Sequence, residues 1–345
     1  MQYFEERDDV SARPRVLFVH MNFRSFQQTD LKLLREFCDV TAINFRWRPG
    51  ELKSLLAALP RVDLLVGWFA SHHTFLPALL GRALGKKVLI MAADYDLANE
   101  PWFGYGSMRR GGVRRPVVNA ILKAADCVVV PSQFSEQLAL RNTILSRQHN
   151  KIRILPCGFD TFVEYPTVPK EPVLLTVGDL NESNWIRKGQ REFVRVAARL
   201  PHVSCYLVGR PSCQQFFDTV QTQASSNVLL TGYVDDAALR SLFSKSKAYA
   251  QLSYMEGFGC SVAEAMLARC VPVVTRSGSL PEVVGNCGYY VNYGDVNGAC
   301  KAVKAALEDD TRGQLARERI LSEFPMDRRR RGMRALIDVL YAGVS

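Results

Sequence analysis

"YAQLSYMEGFGCSVAEAMLARCVPVV", Tyr249–Val274, sets two glutamates eight residues apart, Glu256 and Glu264, around a Gly-Phe-Gly turn. Tyr249 to Ser253 reads as a strand, Tyr254 to Cys260 as a loop and Ser261 onward as a helix, with a second apolar strand following at Val271. Gly257 and Gly259 permit a tight turn that another molecule's atoms can approach closely. The first N–H groups of a helix have no intrahelical partner, so they favour an anion such as a phosphate. Glu256 on the loop and Glu264 in the opening turns can face one crevice, where paired carboxylates accept from hydroxyls. Taken singly, Glu264 equally suits the positive end of a helix dipole and Glu256 a solvated loop. Together, beside the turn, they point to a ligand.

Outward from this stretch the same alternation recurs. "RVLFVH", "DVTAIN", "VDLLVGWF", "KVLIMAA" and "CVVVPS" read as strands, with "QQTDLKLLREF" and "GVRRPVVNAILKAA" as helices between them. After the Pro-rich "EYPTVPKEP" (Glu164–Pro172) the pattern restarts with "VLLTVG", "VSCYLVG", "NVLLTG", "KAYAQLS", "VPVVTR" and "GYYVN". Their helices include "QREFVRVAARL", "DAALRSLFSKS" and "SVAEAMLARC". Strands alternating with helices predict parallel sheets covered on both faces. Two such series predict two doubly wound, Rossmann-like α/β domains. The boundaries fall at 1–168 for an N-terminal domain and 169–325 for a C-terminal one. A tail over 326–345 reads as an amphipathic helix beyond Pro325, which must bury its apolar face.

The 345 residues are 48% hydrophobic and 23% charged, as in a soluble globular chain. No apolar run is long enough to span a bilayer, and the acidic, polar opening residues predict no signal peptide. Nine scattered cysteines without C-x-x-C pairs predict reduced thiols, no metal site and a cytoplasmic protein. The net charge is +10, with 22 Lys and Arg against 16 Asp and Glu in residues 1–165 and 22 against 18 in the remainder. Dense spots are "MRRGGVRRP" (Met108–Pro116) and "DRRRRGMR" (Asp327–Arg334). Besides ordinary solvated loops, they suit phosphorylated ligands or the inner face of an acidic membrane, contacted peripherally and assisted by Trp102 and Phe103. No nucleic-acid motif accompanies them.

In sequence order, several stretches resemble the retaining family-4 glycosyltransferases of the GT-B fold. They are "AADCVVVPSQFS", "KIRILPCGFD", "VLLTVGDLNESNWIRKGQREFVRVAARL", "CYLVGR", "LLTGYVDDAALRSLFSKSKAYAQLS", "EGFGCSVAEA" with its following "VPVV", "SGSLPEVVGNCGYYV" and "ILSEF". The resemblance covers residues 125–340. It implies two domains facing a central cleft, with the C-terminal helix crossing back to the N-domain. It also implies transfer of a sugar from a nucleoside-diphosphate donor to an acceptor hydroxyl, with retained anomeric configuration and no metal or other cofactor. The acceptor would be a sugar, a lipid-linked group or a small molecule, as in cell-envelope glycan, glycolipid or polysaccharide synthesis.

By this resemblance Glu256 contacts the donor sugar and Glu264 the ribose. Backbone of Gly257, Phe258, Gly259, Cys260 and Ser261 meets the sugar and diphosphate, and Gly178 lies in the phosphate loop. Lys188 of the K-G pair binds phosphate, where a fixed cation stabilises the charge that develops on the leaving oxygens. Backbone at Tyr233 and Val234 meets the nucleobase. The chain departs from the pattern at Asp179, where the family carries arginine; Arg187 is the candidate replacement cation. The glycine pair after strand one is also absent, leaving Arg24 and Ser25 on the acceptor side. "GWFASHHTF" offers His72 and His73 near the transferred sugar, with His73 preferred, although a structural histidine fits equally. Asp94 and Tyr95 suit acceptor hydroxyls or a helix cap.

Two other functions share such a fold. A nucleotide-sugar epimerase would need no separate acceptor, and a non-catalytic nucleotide-sugar binder would leave the donor intact. A nicotinamide dehydrogenase is disfavoured, because no glycine stands between His20 and Asp30 to form the dinucleotide fingerprint.

Overall fold

The computed structural model describes residues 13–343, apart from 22, 110–111, 161–164 and 167. Arg110 and Gly111 of the first basic stretch, Glu164 and Thr167 of the Pro-rich one, and the opening twelve residues lie outside the described residues.

The described residues form two six-stranded sheets. The strands are β1 (Arg15–His20), β2 (Asp39–Asn44), β3 (Leu64–Trp68), β4 (Lys87–Met91), β5 (Cys127–Val130), β6 (Ile152–Ile154), β7 (Glu171–Val177), β8 (Ser204–Val208), β9 (Val228–Gly232), β10 (Ser246–Gln251), β11 (Val271–Thr275) and β12 (Tyr289–Val291). The first sheet runs β2-β1-β3-β4-β5-β6 and the second β12-β11-β10-β7-β8-β9. β1 lies parallel to β2 and β3, while β7 lies parallel to β8 and β10. Eleven of the twelve strands fall on stretches whose composition predicts them. β6 is three residues long and too short to show a period.

By contacts the chain divides into two compact units. One holds residues 1–91, 116–128 and 331–345, and the other holds 92–115 and 129–330. In the first unit, Val16–Val19 of β1 and Leu64–Val66 of β3 are fully buried. Such unbroken apolar runs belong to strands covered on both faces. Met333 and Ile337 of the C-terminal helix Met326–Ala342 are also fully buried.

In the second unit the side chains of each strand divide between two cores, as period-2 alternation requires. Leu174, Ala248, Ala250, Val271 and Val273 join one face with Phe193, Val196 and Val303. Leu175, Tyr249 and Val274 join the opposite face with Val262, Met266 and Ile320. The chain enters this sheet at β7, moves outward to β9, then returns to β10 beside β7 and leaves in the other direction. This reversal is a topological switch point, and ligands bind outside the carboxyl ends of the strands flanking it. The loops after β7 and β10 lie at those ends.

Candidate functional site

After β7 the chain turns at Gly178, forms the short helix Glu182–Arg187, and reaches Lys188 and Gly189 before the helix Gln190–Ala198. Gly189 has φ +67, and a Cβ there would stand 1.9 Å from the carbonyl oxygen of Leu252, just past β10. Only glycine lets the two loops meet at this distance. A Cβ on Gly178 would come within 2.9 Å of Lys188 Cδ, so its absence leaves room for the lysine stem.

Beyond β10 a buried polar relay leads into the loop. The Tyr249 hydroxyl donates to Gln251 Oε1 at 3.0 Å, Gln251 Nε2 to Ser253 Oγ at 2.7 Å, and Ser253 Oγ to Glu256 Oε2 at 3.2 Å. Polar residues at every second position of an apolar strand end share one side, and that period is the sequence signal for this relay. The backbone of Glu256 is fixed as well, because its carbonyl accepts from the Ser279 amide and hydroxyl, both at 2.9 Å.

Glu256 is 8% exposed. Lys188 Nζ lies 3.7 Å from its Oε1, and an Arg187 guanidinium nitrogen 3.7 Å from its Oε2. Burial pushes the Glu256 carboxyl toward protonation, but Lys188, Arg187 and the Ser253 hydroxyl outweigh it and hold the pKa below the ordinary value. Glu256 is therefore an ionised, oriented acceptor. Arg187 lies 3.6 Å from Asp94 Oδ2, its guanidinium sits 4.7 Å above the Tyr105 ring, and Tyr105 donates to Asp94 at 2.9 Å. Burial opposes the Arg187 charge; Glu256, Tyr105 and Asp94 offset it. Its Nε is buried without a hydrogen-bond partner. Gly257 packs against Asp94, where a Cβ would come within 2.8 Å of the aspartate's own.

Gly259, with φ +93, leads into the helix Cys260–Leu267, which therefore begins one residue earlier than the sequence predicts. The Phe258 side chain turns into the core, stacked 6.0 Å from Phe159 and edge-on to Phe324 at 5.3 Å. Its backbone forms the turn. The Ser261 side chain hydrogen-bonds the Tyr249 phenol. The Glu264 pKa is raised to about 7, first by burial and then by Asp236, with Lys188 acting in the opposite direction. Glu264 thus responds to the same lysine as Glu256. After β9, Tyr233 is 64% exposed with the Arg210 guanidinium 4.7 Å above its ring, and Val234 packs at the edge of a core. Asp179 is exposed, and its carbonyl accepts from Asn184 at 2.8 Å.

The structure thus brings together Asp94, Arg187, Lys188, Glu256 and Gly257. Asp94 is engaged with Arg187 and Tyr105, while the capping role falls to Asp96, whose carboxylate accepts from the Ala93 amide at 3.0 Å. Tyr95 lies edge-on to Tyr105 at 5.1 Å, and its hydroxyl accepts from Arg114. Sequence reasoning missed Tyr105, Gln251 and Ser253. Tyr105 carries no local signal, because only the fold of the segment after β4 brings it to Arg187.

The other candidates belong to the first unit. Arg24 precedes the helix Ser25–Phe37, its amide donating to Gln27 Oε1 at 2.8 Å, and both Arg24 and Ser25 are exposed. His72 and His73 open the helix His72–Ala83. His72 is exposed. His73 is 1% exposed, with Nε2 at 2.7 Å from the Trp68 carbonyl oxygen and Nδ1 at 2.8 Å from the Ser71 hydroxyl. Burial lowers its pKa to about 4. Among the described residues no group of three or more His, Cys, Asp or Glu could hold a metal ion, and no helix is long and apolar enough to cross a membrane.

Residues 171–309 match the sequence family described as Glycosyl transferases group 1. The chain is 34% identical over 92 residues, 27% of its length and 24% of the relative's, to an O-antigen chain mannosyltransferase B of Escherichia coli. It is 24% identical over 287 residues, 78% of its length and 72% of the relative's, to an N-acetyl-alpha-D-glucosaminyl L-malate synthase of Bacillus anthracis. In structure it resembles a sucrose-phosphate synthase from Thermosynechococcus elongatus, with a TM-score of 0.77 and 20% identity over 96% of this chain and 100% of that one. The structural likeness establishes the fold, that of GT-B glycosyltransferases with two Rossmann-like domains.

Proposed function

We propose that this chain is a glycosyltransferase that moves a sugar from a nucleoside-diphosphate donor to an acceptor hydroxyl with retention of anomeric configuration, as in family 4. One observation carries the reading. Lys188 and Glu256, a cation and an ionised carboxylate 3.7 Å apart, stand at the switch point of a parallel sheet beside the glycine turn and helix start of Gly257–Ser261. The group 1 match over residues 171–309 covers this same site.

In the reaction, breaking the bond between the anomeric carbon and the diphosphate builds charge on the leaving oxygens. Lys188 and the N–H groups at Cys260 and Ser261 stabilise that charge. Glu256, held by Arg187 and the Ser253 relay, orients the sugar through its hydroxyls. Glu264 takes the ribose and the backbone at Tyr233 and Val234 the base. The leaving phosphate accepts the acceptor's proton on the same face, so attack and departure share one side and configuration is retained. The protein's contribution is positioning and charge stabilisation. Arg24, Ser25, His72, Asp94 and Tyr95 are assigned to the acceptor side, and the reaction proceeds without a metal.

The acceptor belongs to the chemistry of envelope glycans, a reading helped by the likeness to an O-antigen chain mannosyltransferase, and the enzyme works in the cytoplasm at an acidic membrane face. Incubation with UDP-, GDP- and ADP-sugars plus lipid-phosphate and sugar acceptors tests this. The expected product is an α-linked glycoside from an α-linked donor, formed equally in the presence of EDTA. A product of opposite configuration, or donor converted to an epimer without an acceptor, refutes it. Flotation with acidic vesicles at low salt tests the membrane contact; protein left entirely in the unbound fraction removes it.

A further inference from the structure

Cys157 and Cys260 lie far apart in the chain, yet their sulfurs stand 3.7 Å apart, with Cys260 donating to Cys157. Both side chains are partly exposed. The loop that holds Cys157 is pinned along its length. The Leu155 amide donates to the Val130 carbonyl at 2.9 Å, and Arg329 donates to the carbonyls of Leu155 at 3.1 Å and Pro156 at 2.7 Å. The Phe159 amide donates to the Phe324 carbonyl, and its own carbonyl accepts from Met326, both at 2.9 Å. Cys260 has a different setting. It is the first residue of the helix Cys260–Leu267 and directly follows Gly259 with φ +93. Cys260 donates to Cys157, so Cys157 is the sulfur placed to react first.

We propose that Cys157 and Cys260 form a reversible oxidative modification site that closes the donor-binding turn, with hydrogen peroxide as oxidant. The Cys157 thiolate attacks one peroxide oxygen. An S–O bond forms, the O–O bond breaks, and the departing hydroxide leaves as water after taking a proton. Cys260 sulfur then attacks the sulfenic sulfur. An S–S bond forms, the S–O bond breaks, and the expelled hydroxide takes the Cys260 proton as a second water. Two thiols thereby lose two electrons to one molecule of hydrogen peroxide. A disulfide holds its sulfurs about 2.05 Å apart, so the pair must close by roughly 1.7 Å. The residues on either side of Cys157 are fixed by these five hydrogen bonds, so whatever displacement the side chains do not absorb falls on Gly259 and Cys260. That is the backbone assigned above to the donor diphosphate, and the functional consequence rests on that assignment.

The test uses the full chain, treated with stoichiometric hydrogen peroxide and compared with its dithiothreitol-reduced form. Intact mass and peptide mapping locate any link. Affinities for UDP, GDP and ADP are measured in both forms. The expected outcome is a loss of two hydrogen atoms mapped to Cys157–Cys260, and about ten-fold or greater weakening of the preferred diphosphate, restored by dithiothreitol. Cys157→Ser and Cys157→Ala should both keep their diphosphate affinity after peroxide. Oxidation confined to the exposed Cys213, or a mapped Cys157–Cys260 link with unchanged affinity, overturns the proposal. A reduced protein that binds none of the three diphosphates refutes the transferase reading and the proposed consequence with it, while the mass map still decides whether the pair links.

Discussion

Lys188 Nζ lies 3.7 Å from Glu256 Oε1, the lysine on the loop after β7 and the glutamate on the loop after β10. Lys188 helps hold the Glu256 carboxyl ionised, so the two act together. Lys188→Ala and Glu256→Gln should each lower kcat by about 10²-fold or more, the scale of one lost transition-state contact. In the double variant the losses should fall short of multiplying, because residues that act as a unit are not additive. Steady-state kinetics on the four proteins check this; independent, multiplying effects contradict a shared site.

Glu256→Ala should also cost stability. It leaves Lys188 without its carboxylate and Arg187 with Asp94 alone, and a buried pair broken by removing one partner costs about 3 kcal/mol. Urea unfolding should show a lower midpoint for Glu256→Ala than for Lys188→Ala, since Lys188→Ala leaves Glu256 paired with Arg187.

Gly189 and Gly232 separate two effects that glycine usually combines. Their φ values are +67 and +68, but a Cβ on Gly189 meets the Leu252 carbonyl at 1.9 Å while one on Gly232 meets nothing within 4 Å. Gly232→Ala should therefore cost only the backbone conformation, about 1 kcal/mol. Gly189→Ala should cost about 3 kcal/mol or more, because the two loops must separate. Equal unfolding midpoints in urea would show that Leu252 yields.

The same contrast marks what could be read in the sequence. Apolar runs such as Val16–Val19 and Val271–Val274 announce buried parallel strands because each lies between covering helices. The turn around Glu256 was legible as a strand-end glycine turn, whereas Lys188 stood out only through the family resemblance, because a lone cation at a helix start is most often solvated surface. Asp94, Tyr105 and Arg187 were not legible as a group. Nothing in "DYDLANEPWFGY" states that Tyr105 stacks on a guanidinium more than eighty residues away, because that contact is set by how the segment after β4 folds onto the second sheet's loops. Cys157 and Cys260 escaped for the same reason. Spacing along the chain says nothing about two sulfurs brought together by separate strands.

Glu264 should make the protein less stable as the solution becomes less acid. Its pKa is raised to about 7 in the fold from an ordinary 4.5 when unfolded. Between those values the folded chain binds more protons than the unfolded one, so stability falls as pH rises and the full cost is present above pH 7. Glu264→Gln keeps the shape without the charge. At pH 7.5 it should unfold later than the wild type by about 1 to 2 kcal/mol, and the advantage should vanish near pH 4.5. It should also weaken the preferred diphosphate several-fold if the carboxylate holds ribose. A pH-independent difference would mean that the Glu264 charge is not the cause.

His73 predicts the opposite slope. Its Nε2 faces the Trp68 carbonyl, which can only accept, so Nε2 carries the proton and Nδ1 accepts from the Ser71 hydroxyl. Burial lowers the pKa to about 4 from 6.5. Between pH 6.5 and 4 the unfolded chain binds the extra proton and the folded one does not, so this contribution to stability is lost as pH falls through that window. At working pH both nitrogens are occupied and the ring is neutral. His73 should therefore leave no inflection near pH 6.5 in the rate profile, and its imidazole resonances should not titrate between pH 5 and 8. His73→Ala should flatten the loss of stability between pH 6.5 and 4 while lowering stability at pH 7. A ring that titrates near 6.5 in step with the rate would instead assign His73 a proton-transfer role and require the Trp68 or Ser71 bond to open during turnover.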